Sequence, residues 1–529
     1  MPNDCISYQN SGYFTPIMID YLNQNPELKS LYNRFPTLEN FANQISEKQQ
    51  NYNNEIRSTL VEVLNEQYQN LDKTELLSQN MELLKSETTF TVTTGHQLNL
   101  FTGPLYFLYK IVSTINLAKT LKAKYSDYDF VPIYWMATED HDFEEINYFN
   151  FGNSKVAWNR ESAGAVGHLP TEGLDKVFEE FAEKLGPQDN SEKLKELFKK
   201  SYVEHDNLAD ATRYLTNELF KEHGLVILDS DDRRLKKFFA PFAEQDLVHN
   251  TSFKEVSATA EYFKNYNLQV NPREINLFYL HDNLRERIIR EEDKFIVNNT
   301  EIVITEAEIL EELEQYPERF SPNVVMRPLY QEIILPNLTY IGGGGELAYW
   351  LELKSYFKAV NITFPMLLLR NSVLLATQKQ AYKADKLDLT WKQLFMKQED
   401  LKKDLAKKLS EFPIDFTSQK ETLRTQFADL HKLANQTDPS FLGAVAAQEK
   451  KQIKGLENLE KRLLQAQKRK FADQLDRAAT LQNELFPNQS LQERKGNFSE
   501  YYIDYGDEMI VKLLETLKPL EQEFQVIVL

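Results

Sequence analysis

Residues 89–147 read TFTVTTGHQLNLFTGPLYFLYKIVSTINLAKTLKAKYSDYDFVPIYWMATEDHDFEEIN. Thr89 to Thr94 is β-prone and empties into a loop bounded by Gly95 and Gly103. An amphipathic helix follows, then a second apolar strand, Val131 to Ala137, which ends in Glu139, Asp140, His141, Asp142, Glu144 and Glu145. Strand, loop, helix and strand in this order predict a βαβ unit. Open α/β sheets bind ligands beyond the carboxyl ends of their strands, where both polar segments fall. The chain has only eight His, and His96 and His141 both lie at that edge.

Outward from this unit, the segment 1–88 reads as helical. Residues 89–153 form the first half of a Rossmann-like parallel-sheet core, and 154–223 a polar helical insertion. The rhythm resumes at Leu225–Leu228, so 224–373 is the second half of the core. It carries a small antiparallel insertion near 276–305, with strands at Leu277–Leu280, Arg285–Arg290, Lys294–Val297 and Glu301–Thr305. A second α/β stretch runs through Leu338–Ile341, four glycines at 342–345, a helix over about 346–359 and the strand Phe364–Leu369. Residues 374–487 are rich in Lys, Glu, Gln and Leu and predict a helical coiled-coil domain. There Leu464, Phe471, Leu475, Ala478 and Leu485 follow a heptad-like seam. The segment 488–529 ends in the apolar run Phe524–Leu529, expected to return to the core.

Eighty acidic against 61 basic residues give a net charge of −19, which argues against broad nucleic-acid binding. Cys5 is the only cysteine, which excludes an intramolecular disulfide and a multi-thiolate metal site within one chain. MPNDCISYQN lacks the basic start and apolar stretch of a signal peptide, and no run of about 18 apolar residues could span a bilayer. The expectation is a soluble cytoplasmic protein without a membrane partner.

Glycines let backbone N–H groups approach an anion, so Gly95, His96, Gln97, Thr102 and Gly103 are binding candidates. The spacing fits neither GxGxxG nor the P-loop. Glu139, Asp140, His141 and Asp142 are candidates for a general base, whereas Glu144 and Glu145 read as an ordinary helix start. No metal site is expected, since one His beside carboxylates lacks ligand spacing. Only 17 glycines occur in the chain, yet Gly342, Gly343, Gly344 and Gly345 stand in a row, which predicts a second ligand loop. Glu346 would meet an amino group there, with Tyr349 and Trp350 as pocket walls or as core. Arg327 and Arg370 suit a carboxylate or phosphate clamp, or a structural ion pair.

The segments TGHQLNLFTGPLY, VPIYWMATEDHDFEEIN, FSPNVVMRPLYQE, YIGGGGELAYW and FPMLLLRNS resemble the cysteine-adding enzyme family of bacillithiol biosynthesis, the BshC cysteine ligases. The resemblance covers nearly the whole chain. It implies a Rossmann-like core related to class I aminoacyl-tRNA synthetases, connective insertions and a coiled-coil domain associated with homodimers. It also implies a ligase that joins L-cysteine to the amine of glucosaminyl-malate. Because amide formation needs an activated carboxyl, ATP with Mg is the expected co-substrate. His96 stands for the synthetase HxGH signature and Arg370-Asn371-Ser372 for the KMSKS loop, which makes Ser372 a binding candidate. The zinc that holds the thiol in the related mycothiol ligase is not carried over. The competing readings are a nucleotide-sugar glycosyltransferase and a non-enzymatic coiled-coil scaffold.

Overall fold

Five strands of a computed structural model, which describes residues 1–152 and 154–529, form the predicted parallel sheet. They are β1 (Thr89–His96), β2 (Asp129–Met136), β3 (Val226–Asp229), β4 (Asn337–Gly342) and β5 (Met366–Leu369), in the order β5-β4-β1-β2-β3. Every residue of β1 is buried, as befits a central strand covered on both faces. Its β-branched threonines suit the extended backbone. Thr91 and Thr93 turn their hydroxyls to Asn337 Oδ1 at 3.3 and 2.8 Å, which satisfies them and ties β1 to β4. β1 runs two residues past Thr94, so Gly95 and His96 are still in the ladder, opposite Trp135 and Met136.

The crossover helix α1 (Tyr106–Lys124) is buried on nearly every side rather than amphipathic. The helix Glu508–Thr516 covers its outer face, and Asn116 Nδ2 donates to the carbonyls of Leu514 and Leu517 at 2.8 and 2.7 Å. The antiparallel insertion forms from Leu277–His281, Leu284–Glu291, Lys294–Val297 and Val303–Thr305. A fifth strand that the sequence reading lacked, Phe320–Pro322, pairs with Leu277–His281.

Three further elements depart from expectation. The leader opens with a strand, Asp4–Ser7, and Ser372–Ala376 is a strand where a helix was expected to begin. Both pair with the last strand, Glu523–Val528, the first antiparallel and the second parallel. Tyr148–Phe151 and Ser154–Ala157 are strands that pair antiparallel at the border of the helical insertion. Short strands take their stability from partners, and two of these partners lie hundreds of residues away, so local periodicity carries no trace of them.

The start of the expected helical domain is thus the strand Ser372–Ala376, followed by the short helices Gln378–Lys386, Trp391–Leu394 and Gln398–Leu409. Helices Thr417–Ala434 and Pro439–Lys470 then form a hairpin arm. The seam breaks at Phe471 (φ −105°, ψ 20°), and the chain continues as helix Ala472–Leu485. Leu475, Ala478 and Leu485 are buried in the main core, where Gln398–Leu409 packs against them within the same chain. No described helix is long and apolar enough to cross a membrane.

Candidate active site

The carboxyl edge of the sheet opens into a cavity of about 690 Å³, within the range of small-molecule sites. Side by side along this edge stand the segments that follow β5, β4, β1, β2 and β3. The antiparallel insertion contributes Phe278, Arg285 and Arg287 to the wall.

At the end of β1, Gly95 allows a close approach. A Cβ there would lie 3.2 Å from the Tyr340 hydroxyl and 3.6 Å from Arg327 Nη1. The Gly95 carbonyl accepts from the buried Lys110 Nζ at 2.7 Å. His96 lies against the rings of Tyr106 and Phe107, and its buried Nε2 has no hydrogen-bond partner. Burial, with the charges of Lys110 and Arg370, holds its pKa well below the ordinary value, so the ring is neutral at physiological pH. Gln97 Nε2 donates to Asp140 Oδ2 at 2.9 Å and to Glu145 Oε2 at 3.0 Å.

The acidic segment after β2 is not three equivalent carboxylates and an imidazole. Glu139 is buried and hydrogen-bonded to the buried Lys236 ammonium. Burial raises its pKa and Lys236 opposes the rise. Asp140 accepts from Gln97 and from the His141 N–H. His141 Nδ1 contacts Arg285 Nη1. A guanidinium only donates, so Nδ1 must accept, and the ring proton sits on Nε2. Asp142 is the remaining acid. No hydrogen bond to its side chain occurs among the described residues, and burial together with the charge of Asp140 raises its pKa. Its Oδ1 lies 3.9 Å from His141 Nε2, beyond hydrogen-bond distance, and its side chain is 55% exposed, which leaves it open to a ligand.

The four glycines divide by task. Gly342 ends β4 and lies outside the cavity lining, its carbonyl accepting from Arg370 N at 2.9 Å. Gly343 caps helix α2 (Gly344–Leu351), and its N–H donates to Glu346 Oε2 at 2.6 Å. Gly344 and Gly345 form the first turn at the cavity, where a helix leaves N–H groups without intrahelical partners. Glu346 does not wait for an amino group. It caps α2, accepts from Lys110 Nζ at 2.7 Å and lies 3.2 Å from the Tyr340 hydroxyl. Burial would raise its carboxyl, but Lys110, the Gly343 N–H and Arg327 together more than offset this and leave it below the ordinary value.

Of the cations, Arg327 keeps its expected place. It reaches the Tyr349 hydroxyl at 3.3 Å and Gln331 at 3.2 Å, with no ion pair among the described residues. Arg370 borders the cavity, and its guanidinium is held by the buried carboxylate of Glu493 at 2.7 and 3.1 Å, the structural ion pair that the sequence left open beside the clamp, while its Nε has no hydrogen-bond partner. Glu493→Ala would leave that guanidinium buried and unpaired, which costs about 3–5 kcal/mol. Urea unfolding should show the loss directly.

Four other expected site residues lie elsewhere. Thr102 and Gly103 adopt φ of +67° and +60° in a buried turn, where Asn497 Nδ2 donates to the Phe101 and Gly103 carbonyls. This turn seats the C-terminal segment and does not line the main cavity. Trp350 is core, stacked on Tyr340 at 4.5 Å, because helical spacing turns it to the sheet while Tyr349 faces the cavity. Ser372 is buried in its strand and hydrogen-bonds Arg370 and Glu493.

Sequence reasoning missed Lys110, Tyr340, Arg273, Arg285, Arg287 and Arg494, all of which line the cavity. Lys110 stands alone among apolar residues of α1, and Arg285 and Arg287 sit two apart on a predicted strand, hence on one face. Those signals were present. Arg494 carried none, because its position depends on the long-range return of the chain.

One wall of the cavity has a built-in pH response. Glu352 is buried and accepts from Gln269 N at 2.7 Å, which anchors the segment leading to Asn271 and Arg273. Burial pushes its carboxyl up to about 7 from an ordinary 4.5. Between those values the folded chain holds a proton that the unfolded chain has lost, so this group lowers stability as pH rises through the window. Glu352→Gln should therefore flatten the fall of the urea midpoint between about pH 5 and 7.

Comparison with known proteins matches residues 1–371 to the family described as "Bacillithiol biosynthesis BshC, N-terminal Rossmann-like domain". Residues 373–529 match "Bacillithiol biosynthesis BshC, C-terminal coiled-coil domain". A protein of Flavobacterium johnsoniae named "Putative cysteine ligase BshC" is 64% identical, with all of both chains covered. Relatives of the same name from Christiangramia forsetii and Cytophaga hutchinsonii are 57% and 37% identical, covering 100% and 97% of this chain and 99% and 96% of theirs. A solved structure named as a "putative arginyl t-RNA synthetase" from Campylobacter jejuni aligns over 84% of this chain and 98% of its own at 12% identity. Its TM-score of 0.20 is too low to support an argument.

Proposed function

The chain belongs to the BshC family of bacillithiol biosynthesis, a family of ligases, and from that premise we propose that it joins the carboxyl of L-cysteine to the amine of glucosaminyl-malate. The observation that carries this reading is one cavity with a free carboxylate of raised pKa, Asp142, along the same sheet edge as the unpaired Arg327 and the amino end of α2. Amide formation asks for both. The amine must lose a proton as it attacks, and the carboxyl must be activated and its developing negative charge stabilised.

Asp142 takes the proton from the amine. Arg327 and the N–H groups of Gly344 and Gly345 face the anionic side of the activated carboxyl. His96 fits a phosphate neighbour: its neutral ring carries an unsatisfied Nε2 at the cavity wall. ATP with Mg is the proposed activator, and it supplies the leaving group that a free carboxylate lacks. Gly95, His96, Gln97, Gly343, Gly344 and Gly345 would hold its phosphates. Lys110 and Glu346 keep the two glycine loops together from beneath, through one ion pair and the Gly95 carbonyl.

A homodimer in the cytoplasm belongs to the same reading. Because the heptad seam is covered within the chain, the subunit contact would fall on the exposed apolar residues of the arm, such as Leu433 and Leu459. The test is incubation of the purified protein with L-cysteine, glucosaminyl-malate and ATP, followed by mass spectrometry. The expected product is heavier than glucosaminyl-malate by cysteine less water. Its absence in the presence of ATP and Mg would overturn the proposal.

A further inference from the structure

Two arginines that line the cavity from the side of the antiparallel insertion are left without a task. Arg287 lies on strand Leu284–Glu291, opposite Phe278 in the neighbouring strand, and Arg273 precedes that strand. Both are exposed where they line the cavity, and neither forms an ion pair among the described residues. Of the other cations lining the cavity, Arg327 faces the activated carboxyl in the reading above. Arg494, also without an ion pair among the described residues, comes from the C-terminal return of the chain rather than from the side of the insertion. The rest are committed. Arg285 donates to His141 and to Ser321 Oγ and faces Glu139, Asp140 and Asp142. Arg370 is bound to Glu493, and Lys110 to Glu346. In a chain of net charge −19, two free guanidinium groups on one cavity wall mark a place for a ligand with two negative charges.

We propose that Arg273 and Arg287 clamp the two carboxylates of the acceptor's malate group, an assignment that rests on the ligase reading above. The chemistry of the acceptor fixes the neighbourhood. Its amine and its malate-bearing oxygen sit on adjacent ring carbons, so the carboxylates must lie close to the base that serves the amine. The insertion meets the base at that point. The His141 ring, next in sequence to Asp142, packs on Phe278 at 5.3 Å between centroids, and Arg287 is the cross-strand partner of Phe278. Asn271 lines the same wall and offers a neutral donor, whereas Asn323 Nδ2 already donates to Asn276 Oδ1 at 2.8 Å. The antiparallel insertion is thereby the element that selects a dicarboxylate-bearing amino sugar over a neutral one.

The experiment measures steady-state kinetics and calorimetric binding for Arg273→Gln, Arg287→Gln and the double variant. Each single change should raise KM for glucosaminyl-malate about tenfold or more, as loss of a charge-assisted contact does. KM for L-cysteine and for ATP should hold within about twofold. The difference between wild type and variants should vanish for methyl glucosaminide, an amine acceptor without carboxylates. Equal affinity of wild type and the double variant for glucosaminyl-malate would overturn the clamp even with the ligase activity intact. Weaker binding in the variants supports the clamp even if no cysteine is transferred, and a wild type that binds no glucosaminyl-malate overturns both readings. Circular dichroism establishes that the variants are folded.

Discussion

Asp142→Asn should lower turnover about 100-fold or more, with little change in thermal stability. The size of the effect follows from elimination among its neighbours. Glu139 is held by Lys236, and Asp140 by Gln97 and the His141 amide. His141 presents a protonated Nε2, because Arg285 occupies Nδ1. Asp142 alone combines an open carboxylate with a pKa raised by burial and by Asp140. A raised pKa makes a better base, provided that the group is still ionised at the working pH. Asparagine keeps the volume and some hydrogen bonding and removes the basicity, so kcat/KM should also lose the dependence on pH that Asp142 titration imposes. The stability should hold because the side chain is half-exposed and caps nothing. Turnover near wild type would sink the assignment and move the base to Asp140 or His141.

The βαβ unit was legible because its signals are local. A Thr- and Val-rich strand, a helical run and an apolar strand follow one another within 60 residues, and their pairing needs no distant partner. The acidic segment and the glycine row were legible for the same reason: strand ends in a parallel sheet point to one edge. Roles within the site were not legible, because they depend on pairings across the chain. Glu139 loses its freedom to Lys236, Glu346 to Lys110 and Arg370 to Glu493, with separations of 97, 236 and 123 residues. Arg273 and Arg287 show the converse. The spacing of Arg287 from Arg285 gives a shared strand face but not where that face points, and both Arg273 and Arg287 become site residues only because Phe320–Pro322 docks the insertion beside Lys236. The heptad seam was misleading in a third way. Its spacing predicts an apolar stripe correctly, but the stripe is covered by the chain's own Gln398–Leu409.

Gly345→Val should bring product formation below about 1% of wild type without unfolding the protein, on the premise that a ligand approaches the backbone at that point. None of the four glycines from 342 to 345 has a positive φ, so the row is not there for left-handed backbone. Space is the reason, and it differs at each position. A Cβ on Gly342 would come within 3.0 Å of the Tyr340 ring and 3.1 Å of Leu347, and one on Gly343 would face Glu346 at 3.4 Å. At Gly344 it would meet Met18 Cγ at 3.2 Å, so Gly344→Val would disturb the helix Pro16–Leu22 and confound packing with binding. Gly345 alone has nothing within 4 Å, and it borders the cavity. A valine there enters open space that the fold does not use, while a helical position gains a residue of better propensity than glycine. Thermal unfolding should therefore hold or rise slightly as activity disappears. Gly345→Ala, with a single methyl, should fall between the two. Normal product formation by a folded Gly345→Val protein would show that no ligand approaches this turn, and the anion-binding role of α2 would fall with it.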